Sequence, residues 1–222
     1  MKNRLFLIAL LLFFVGCKKD SSTVKLHYEY FGVNKGRFVI YDVNEITHLS
    51  NGSKEYSDYQ LKTVIGDTVQ DNSSRLGYKF LRYKRLTSTD NWAIKDVWFI
   101  IIADNKGELI EENERVIKLV FAPTSKKTWN GNAYNTKEEA IYSYDSIHKP
   151  YKINGQQLDS TLKVVQEDVF NMIQFKKKYE IYAKNIGLVK KHYQDLNISN
   201  FDINNVSTGK EIFYNMTSYG VE

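Results

Sequence analysis

The chain has 222 residues, a formal net charge of +5 at pH 7, twelve glycines, two prolines and a single cysteine. A chain of this length can bury a core of its own, and one cysteine excludes an intramolecular disulfide. The charges are interspersed, which is typical of a solvated surface rather than of a nucleic-acid-binding stripe, and the low glycine and proline content argues against low-complexity or collagen-like structure.

The N-terminus has the pattern of an export signal. Lys2 and Arg4 precede an apolar run at residues 5–15, which is too short to span a bilayer, and the small residue Gly16 follows. A charged start, a short apolar segment and a small residue at the cleavage site are features of a secretory signal. The sequence therefore predicts a signal peptide at residues 1–16.

The residues around the cleavage site predict a lipid anchor. Phe14-Val15-Gly16-Cys17 resembles a bacterial lipobox, although leucine is the usual residue where Phe14 stands. The resemblance implies cleavage before Cys17 and acylation of that cysteine, and two or more acyl chains anchor a protein stably. In Gram-negative lipoproteins, a residue other than aspartate after the cysteine, here Lys18, implies the outer membrane; the periplasmic face and the cell surface both remain open. The alternative is a soluble secreted protein whose leader ends in cysteine.

The rest of the chain alternates between apolar and polar residues, with turn signals such as Asn51-Gly52 and Asn154-Gly155. The run at residues 98–102 is continuously apolar and predicts a central strand covered on both faces. Residues 67–77 predict a loop. The predicted strands are 26–30, 38–43, 59–65, 78–86, 92–103, 115–122, 141–144, 161–166, 175–193 and 211–216.

Three segments depart from simple alternation. Residues 136–139 have the sequence of a capping box and could open one short helix. Residues 162–175 fit strand, loop, strand best, with one helix as the alternative. Residues 175–193 form the longest alternating segment, and Gly187 within it predicts a bulge at which one long strand bends.

These patterns predict a mainly β fold: an antiparallel curved sheet, forming an open barrel or a sandwich, with at most one or two short helices. The predicted domain organisation is a signal peptide at 1–16, a lipidated cysteine and polar tether at 17–25, and a single β-rich domain at 26–222.

Several short motifs resemble those of uncharacterised outer-membrane lipoproteins of the Bacteroidetes type. The resemblance covers most of the mature chain and implies a curved-sheet or open-barrel fold, but it carries over no catalytic residue. The motifs are Tyr28-x-Tyr30-Phe31, Gly36-Arg37-Phe38-x-x-Tyr41-Asp42-Val43, Tyr59-Gln60-Leu61-Lys62, Trp129-Asn130-Gly131-Asn132 and Tyr182-Ala183-Lys184-x-x-Gly187-Leu188-Val189.

No motif predicts a catalytic site, a metal site or a cofactor. The four histidines are scattered singly, and no Ser-His-Asp order, P-loop or dinucleotide fingerprint is present. Asp67 to Asn72 offers oxygen ligands without the spacing of a calcium loop, so a solvated turn is favoured. Asp67-Thr68-Val69 and Asp145-Ser146-Ile147 resemble sites that Bacteroidetes-type exported proteins O-glycosylate.

Aromatic residues give the one functional indication. Trp129, Tyr142 and Tyr144 are candidates for ligand binding, with a place in the core as the alternative. Trp129 lies in a polar Asn-Gly segment and could instead be a plug that closes one end of a barrel. The sequence thus favours a membrane-anchored, non-enzymatic lipoprotein that binds a lipid, a glycan or an envelope partner. The alternatives are an assembly subunit that pairs through a sheet edge, and a hydrolase whose site is built from distant strands.

Overall fold

The structure is a computed structural model, and it describes residues 24–222. The predicted signal peptide, Gly16 and Cys17 lie outside the described residues. Within residues 24–222, no helix combines the length and the apolar character needed to cross a membrane.

Strands make up most of the described chain, and one 3-10 turn at Tyr28–Tyr30 precedes them. The strands are β1 (Arg37–His48), β2 (Lys54–Gln70), β3 (Leu76–Arg85), β4 (Ala93–Ala103), β5 (Lys106–Glu111), β6 (Glu114–Val120), β7 (Thr128–Asn130), β8 (Ile141–Ile153), β9 (Gln156–Phe170), β10 (Gln174–Ala183), β11 (Gly187–Ser199) and β12 (Asp202–Val221).

All twelve strands belong to one antiparallel sheet in the order β6-β5-β4-β3-β2-β1-β12-β11-β10-β9-β8-β7. The sheet curls until its two edge strands meet, because the backbone N–H of Ile117, in β6, donates to the carbonyl of Gly131, just after β7, at 2.9 Å. The result is a nearly closed, barrel-shaped sheet. The prediction of a mainly β fold with an antiparallel curved sheet is confirmed, and of the two architectures left open the structure adopts the barrel-like one.

The apolar residues form two clusters. One joins the N-terminal segment to the inside of the sheet and includes Phe31, Leu119 and Tyr182. In the other, Leu158 from the β8–β9 hairpin packs with Met216 of β12. The side chain of Asn154, at the tip of that hairpin, donates to the Met216 carbonyl at 2.8 Å, so the hairpin end folds against the neighbouring strands.

Two predictions of local secondary structure, a helix at residues 136–139 and a strand at residues 26–30, are wrong. Residues 136–139 form bends and irregular chain instead of a helix, because the side chain of Asn135 accepts from the backbone N–H of Lys137 at 2.9 Å and holds a local turn. Residues 26–30 are not a strand: residues 26 and 27 are irregular and Tyr28–Tyr30 form the 3-10 turn. Tyr30 is buried without pairing in a ladder.

The predicted long strand at 175–193 is two strands. The residues between β10 and β11 form a tight turn in which Asn185 and Gly187 both have positive φ, so Gly187 opens a new strand instead of bending one. The ambiguous segment at 162–175 is strand, turn, strand, as favoured. The predicted loop at 67–77 begins late, since β2 continues to Gln70.

β4 is an interior strand of the sheet that is covered on both faces over only part of the predicted apolar run. Ile100 and Ile101 point to opposite faces and are both buried, whereas Phe99 is 36% exposed and Val97, just before the run, is 45% exposed. The prediction of burial on both faces therefore holds at Ile100 and Ile101 but not at Phe99, where the outer face of the sheet is solvated.

Candidate functional site

The curled sheet encloses a cavity with a water-accessible volume of about 90 Å³. Its walls come from β1–β6 and β10–β12, and the N-terminal segment contributes Phe31 and Gly32. Apolar side chains such as Leu61, Ile100 and Leu188 form much of the surface. Six charged side chains also line this interior cavity: Arg37, Arg82, Lys118, Lys191, Glu111 and Glu180.

A buried ion pair crosses the interior. Lys118 of β6 donates from Nζ to Glu180 Oε1 of β10 at 2.7 Å, although these strands are not neighbours in the sheet. The hydroxyl of Tyr182 donates to the other oxygen of Glu180 at 2.6 Å. Burial acts to raise the pKa of Glu180, but the charges of Lys118 and Lys191 outweigh it, and the pKa lies below its ordinary value. Glu180 is therefore a carboxylate.

Arg82 is held by three groups. Its Nη1 donates to Asp96 at 3.2 Å and its Nη2 donates to the hydroxyl of Tyr214 at 3.3 Å. The guanidinium lies 3.5 Å from the centre of the Trp98 ring, within the range of a cation–π contact. Arg82 is thus fixed in position at the cavity wall.

Other donors at the cavity have no such partner. The Nε atom of Arg37 and the Nε1 atom of Trp98 are buried, and neither has a hydrogen-bond partner among the described residues. Lys191 forms no ion pair within residues 24–222, and its Nζ lies 5.4 Å from the ring centre of Tyr214. Burial lowers the pKa of Lys191, and Lys118 and Arg82 add to that effect, against the opposing charges of Glu180 and Glu111.

The three aromatic residues predicted as candidate ligand contacts lie together at the seam, which is the line where β6 meets β7 and β8. The indole N–H of Trp129 donates to the carbonyl of Ile117 at 2.9 Å. The hydroxyl of Tyr144 accepts from the N–H of Val120 at 3.1 Å and donates to the carbonyl of the same residue at 2.8 Å.

Tyr142 completes this arrangement. Its ring lies edge-on to Trp129 at 6.0 Å, and a Cβ atom on Gly131 would come within 2.5 Å of the Tyr142 ring. Trp129 and Tyr144 therefore join the two edges of the sheet at its side, with Tyr142 packed against Trp129, a role that sequence analysis did not consider. Ligand binding by Trp129, Tyr142 and Tyr144 stays a prediction.

A second polar cluster joins the N-terminal segment to β8 and β9. The hydroxyl of Tyr30 lies 2.5 Å from His148 Nδ1 and 2.5 Å from Ser160 Oγ. The ring of His27 lies 4.5 Å from that of His148, and His27 Nδ1 lies 3.1 Å from Glu29. The structure thus brings together a serine and a histidine that the sequence scattered, but a tyrosine hydroxyl stands between them. Among residues 24–222, no group of three or more His, Cys, Asp or Glu could hold a metal ion.

The tips of two hairpins carry an exposed apolar patch, here called the tip patch. Phe170, Met172, Ile173, Phe201 and Ile203 are each more than half exposed. The rings of Phe170 and Phe201 lie 5.7 Å apart, and the N–H of Phe201 donates to the carbonyl of Met172 at 3.4 Å, so the two tips form one surface. Sequence analysis did not single out this patch, because its residues lie on two separate turns.

Both predicted glycosylation sites lie in strands. Thr68 is exposed in β2, and Ser146 is half-buried in β8. Their modification stays a prediction.

Comparisons with known proteins add one structural neighbour. No protein-family model matches the chain, and no curated protein matches it. A crystal structure at 2.70 Å resolution of a protein from Parabacteroides distasonis ATCC 8503, described as a "putative lipoprotein", has 10% sequence identity and a TM-score of 0.37, over 89% of this chain and 100% of that one.

Proposed function

We propose that this chain is a lipoprotein of the outer membrane, anchored through acyl chains on Cys17, whose body binds a small ligand in the interior cavity without catalysing a reaction. The anchor is supported by the export signal and the lipobox-like motif. Residues 17–25 are the tether between membrane and body.

The anchor is tested by labelling cells with a palmitate analogue. The native chain is expected to carry the label and Cys17→Ala to lose it. Lys18→Asp is the matched variant, because it leaves the cysteine in place: it should keep the label and move from the outer to the inner membrane. A label that persists in Cys17→Ala would overturn the anchor, and an unmoved Lys18→Asp would overturn the outer-membrane location.

The observation that carries ligand binding is the interior cavity with its charged lining. Burying a charged side chain costs stability unless a partner compensates, so a protein that keeps such groups around a cavity is expected to use them. The volume of about 90 Å³ is well below the roughly 300 Å³ of a typical drug-sized pocket. Size and charge therefore favour a small hydrophilic ligand over the acyl chain of a lipid or an extended glycan.

The binding function is tested by native mass spectrometry of the full chain, extracted from its own envelope in mild detergent. A non-covalent adduct is expected on the native protein. Leu109→Phe enlarges a lining side chain and should abolish the adduct, whereas the same change at the exposed Leu76 should not. The binding function is refuted by the absence of any adduct on the native protein, or by equal adducts on the two variants.

The tip patch favours a second candidate function, assembly with another envelope protein. Five exposed apolar side chains lie together at the hairpin tips, and a contiguous exposed apolar patch is typical of an interaction surface. β10 has 10 residues and spans roughly 30 Å between the tip patch and the turn that contacts the N-terminal segment. The tip patch and the N-terminal segment therefore lie at opposite ends of β10, and this separation from the anchored end favours a protein partner over the protein's own bilayer.

A photo-crosslinking amino acid at position 170 tests this assembly in living cells. A single crosslinked species is expected, and Phe201→Ser should abolish it by removing the adjacent ring. The control places the same amino acid at Tyr56, which is exposed elsewhere on the sheet. Crosslinking at position 56 as strong as at position 170 would count against a specific partner.

A further inference from the structure

Three of the groups without an ion-pair or hydrogen-bond partner at the interior cavity are hydrogen-bond donors, and the carboxylate of Glu111, which also forms no ion pair among the described residues, is the acceptor among the lining groups. The guanidinium of Arg37, the indole of Trp98 and the ammonium of Lys191 can donate and cannot accept. Leaving a buried donor unsatisfied lowers the stability of the folded protein, and the cost is larger for a charged group. Water can enter a cavity of this size and satisfy some of these donors, but it does not neutralise their charge.

The charged side chains that line the cavity include more cations than anions. Lys118 is paired with Glu180, and Arg82 is paired with Asp96. Of the remaining lining groups, Arg37 and Lys191 are cations and only Glu111 is an anion, and none of the three forms an ion pair among the described residues. An excess of positive charge in a site with restricted water attracts negative charge more strongly than the same groups would at the surface.

The distances place several of these donors around one part of the cavity. Trp98 stacks on Arg82, whose Nη2 atom donates to the Tyr214 hydroxyl. Lys191 lies over the ring of that same tyrosine, since its Nζ is 5.4 Å from the ring centre. A ligand beside Tyr214 would therefore be within the neighbourhood of an ammonium, a guanidinium and an indole N–H.

We propose that the interior cavity binds a small anion, a ligand with a carboxylate or phosphate group, through Lys191, Arg82 and the indole N–H of Trp98. The inference rests on the proposed binding function and names the chemical class of the ligand. Arg37 adds positive charge to the same cavity. The volume limits the part of the ligand that is enclosed to a few non-hydrogen atoms.

The test uses isothermal titration calorimetry on the full chain in mild detergent at pH 7. The probes are inorganic phosphate, acetate and succinate, each at the same total ionic strength made up with sodium chloride. At least one probe is expected to bind the native protein, and the comparison of phosphate with the two carboxylates identifies the head group. Failure of all three probes to bind overturns the inference.

Variants locate the binding. A hydrogen bond to a charged group contributes enough that Lys191→Met should raise the Kd about tenfold or more. Trp98→Phe keeps the ring on Arg82 and removes the indole donor, so it should also weaken binding. The matched control is Lys190→Met, since Lys190 is the adjacent lysine and does not line the cavity. Equal weakening by Lys190→Met and Lys191→Met would show attraction by overall charge and would overturn the assignment.

Lys191→Met removes a cation that also favours the buried carboxylate of Glu180, so its folding is checked separately. The circular dichroism spectrum of the variant should match that of the native chain. The experiments separate the proposal that the ligand is an anion from the proposal that the cavity binds a ligand at all. A neutral or cationic adduct in the native mass spectrum would refute the anion and leave ligand binding in place.

Discussion

Replacing Glu180 by glutamine should be among the most destabilising single changes in the described chain. Glu180 is 2% exposed, and its carboxylate receives Lys118 at 2.7 Å and the Tyr182 hydroxyl at 2.6 Å. Glutamine keeps the shape and removes the charge, which leaves the ammonium of Lys118 buried without a counter-charge. Breaking a buried ion pair from one side costs about 3–5 kcal/mol. For a chain of this size that corresponds to a fall in Tm of roughly 10 °C.

The free energy of unfolding is measured by urea denaturation at pH 7, on the mature chain with Cys17→Ala so that no lipid is present. Glu114→Gln is the control, because Glu114 pairs with Lys137 at the surface and such pairs contribute at most about 1 kcal/mol. In the double variant Glu180→Gln with Lys118→Met, the stranded charge is removed as well. The loss should therefore be smaller than the sum of the two single losses, by about 1–3 kcal/mol.

A loss below about 1 kcal/mol for Glu180→Gln would contradict the buried pair. Strict additivity of Glu180→Gln and Lys118→Met would contradict their contact even if both variants were destabilised.

Three further predictions concern the seam, the second polar cluster and the N-terminal segment. Tyr144→Phe leaves both the N–H and the carbonyl of Val120 without a partner, so urea denaturation should show a loss of about 2 kcal/mol, and a loss below about 0.5 kcal/mol would contradict this role of the hydroxyl. Partial burial lowers the pKa of His148 from its ordinary 6.5, so the unfolded chain takes up the proton first and the free energy of unfolding should fall as the pH drops below that value. His148→Gln should flatten this fall in denaturation curves taken between pH 7 and 5. The same pH dependence in the variant and the native chain would refute this role of His148. Gly32→Ala places a Cβ 2.5 Å from the Ile186 carbonyl at a φ of +65°, so it should lower the Tm measured by circular dichroism, whereas Gly52→Ala, which meets nothing within 4 Å at a similar φ, should lower it less.

Strands and turns with a strong local pattern could be predicted from the sequence. β1 and β3 were recognised from alternation, β4 was recognised from its apolar run, and Asn154-Gly155 was recognised as a turn, because each of these signals depends on neighbouring residues alone. The hairpin between β10 and β11 was missed because the alternation continues across it, and a three-residue turn leaves the pattern almost unbroken.

The candidate site was missed for a different reason. Lys118, Glu180 and Lys191 are lysines and a glutamate in a chain with many charges, and each one alone resembles a solvated surface residue. These side chains come together only because the sheet closes and brings β6 opposite β10 across the interior. Trp129 was singled out, because a tryptophan between turn residues is unusual enough to be noticed, but the role considered for it was a plug at one end of a barrel and not a contact between the sheet edges.

The seam differs in kind from every other strand boundary in the sheet. Elsewhere the wall is a ladder of backbone hydrogen bonds. Across the seam there is one backbone bond at Ile117, and the other contacts are made by the side chains of Trp129, Asn135 and Tyr144 and by the Glu114–Lys137 ion pair. A boundary fastened by side chains can part through rotamer changes, without unpairing two whole strands. The seam is therefore the boundary at which the fewest backbone hydrogen bonds would have to break for the wall to open, and it is a route by which a small solute could reach the interior while the other strand pairs stay intact.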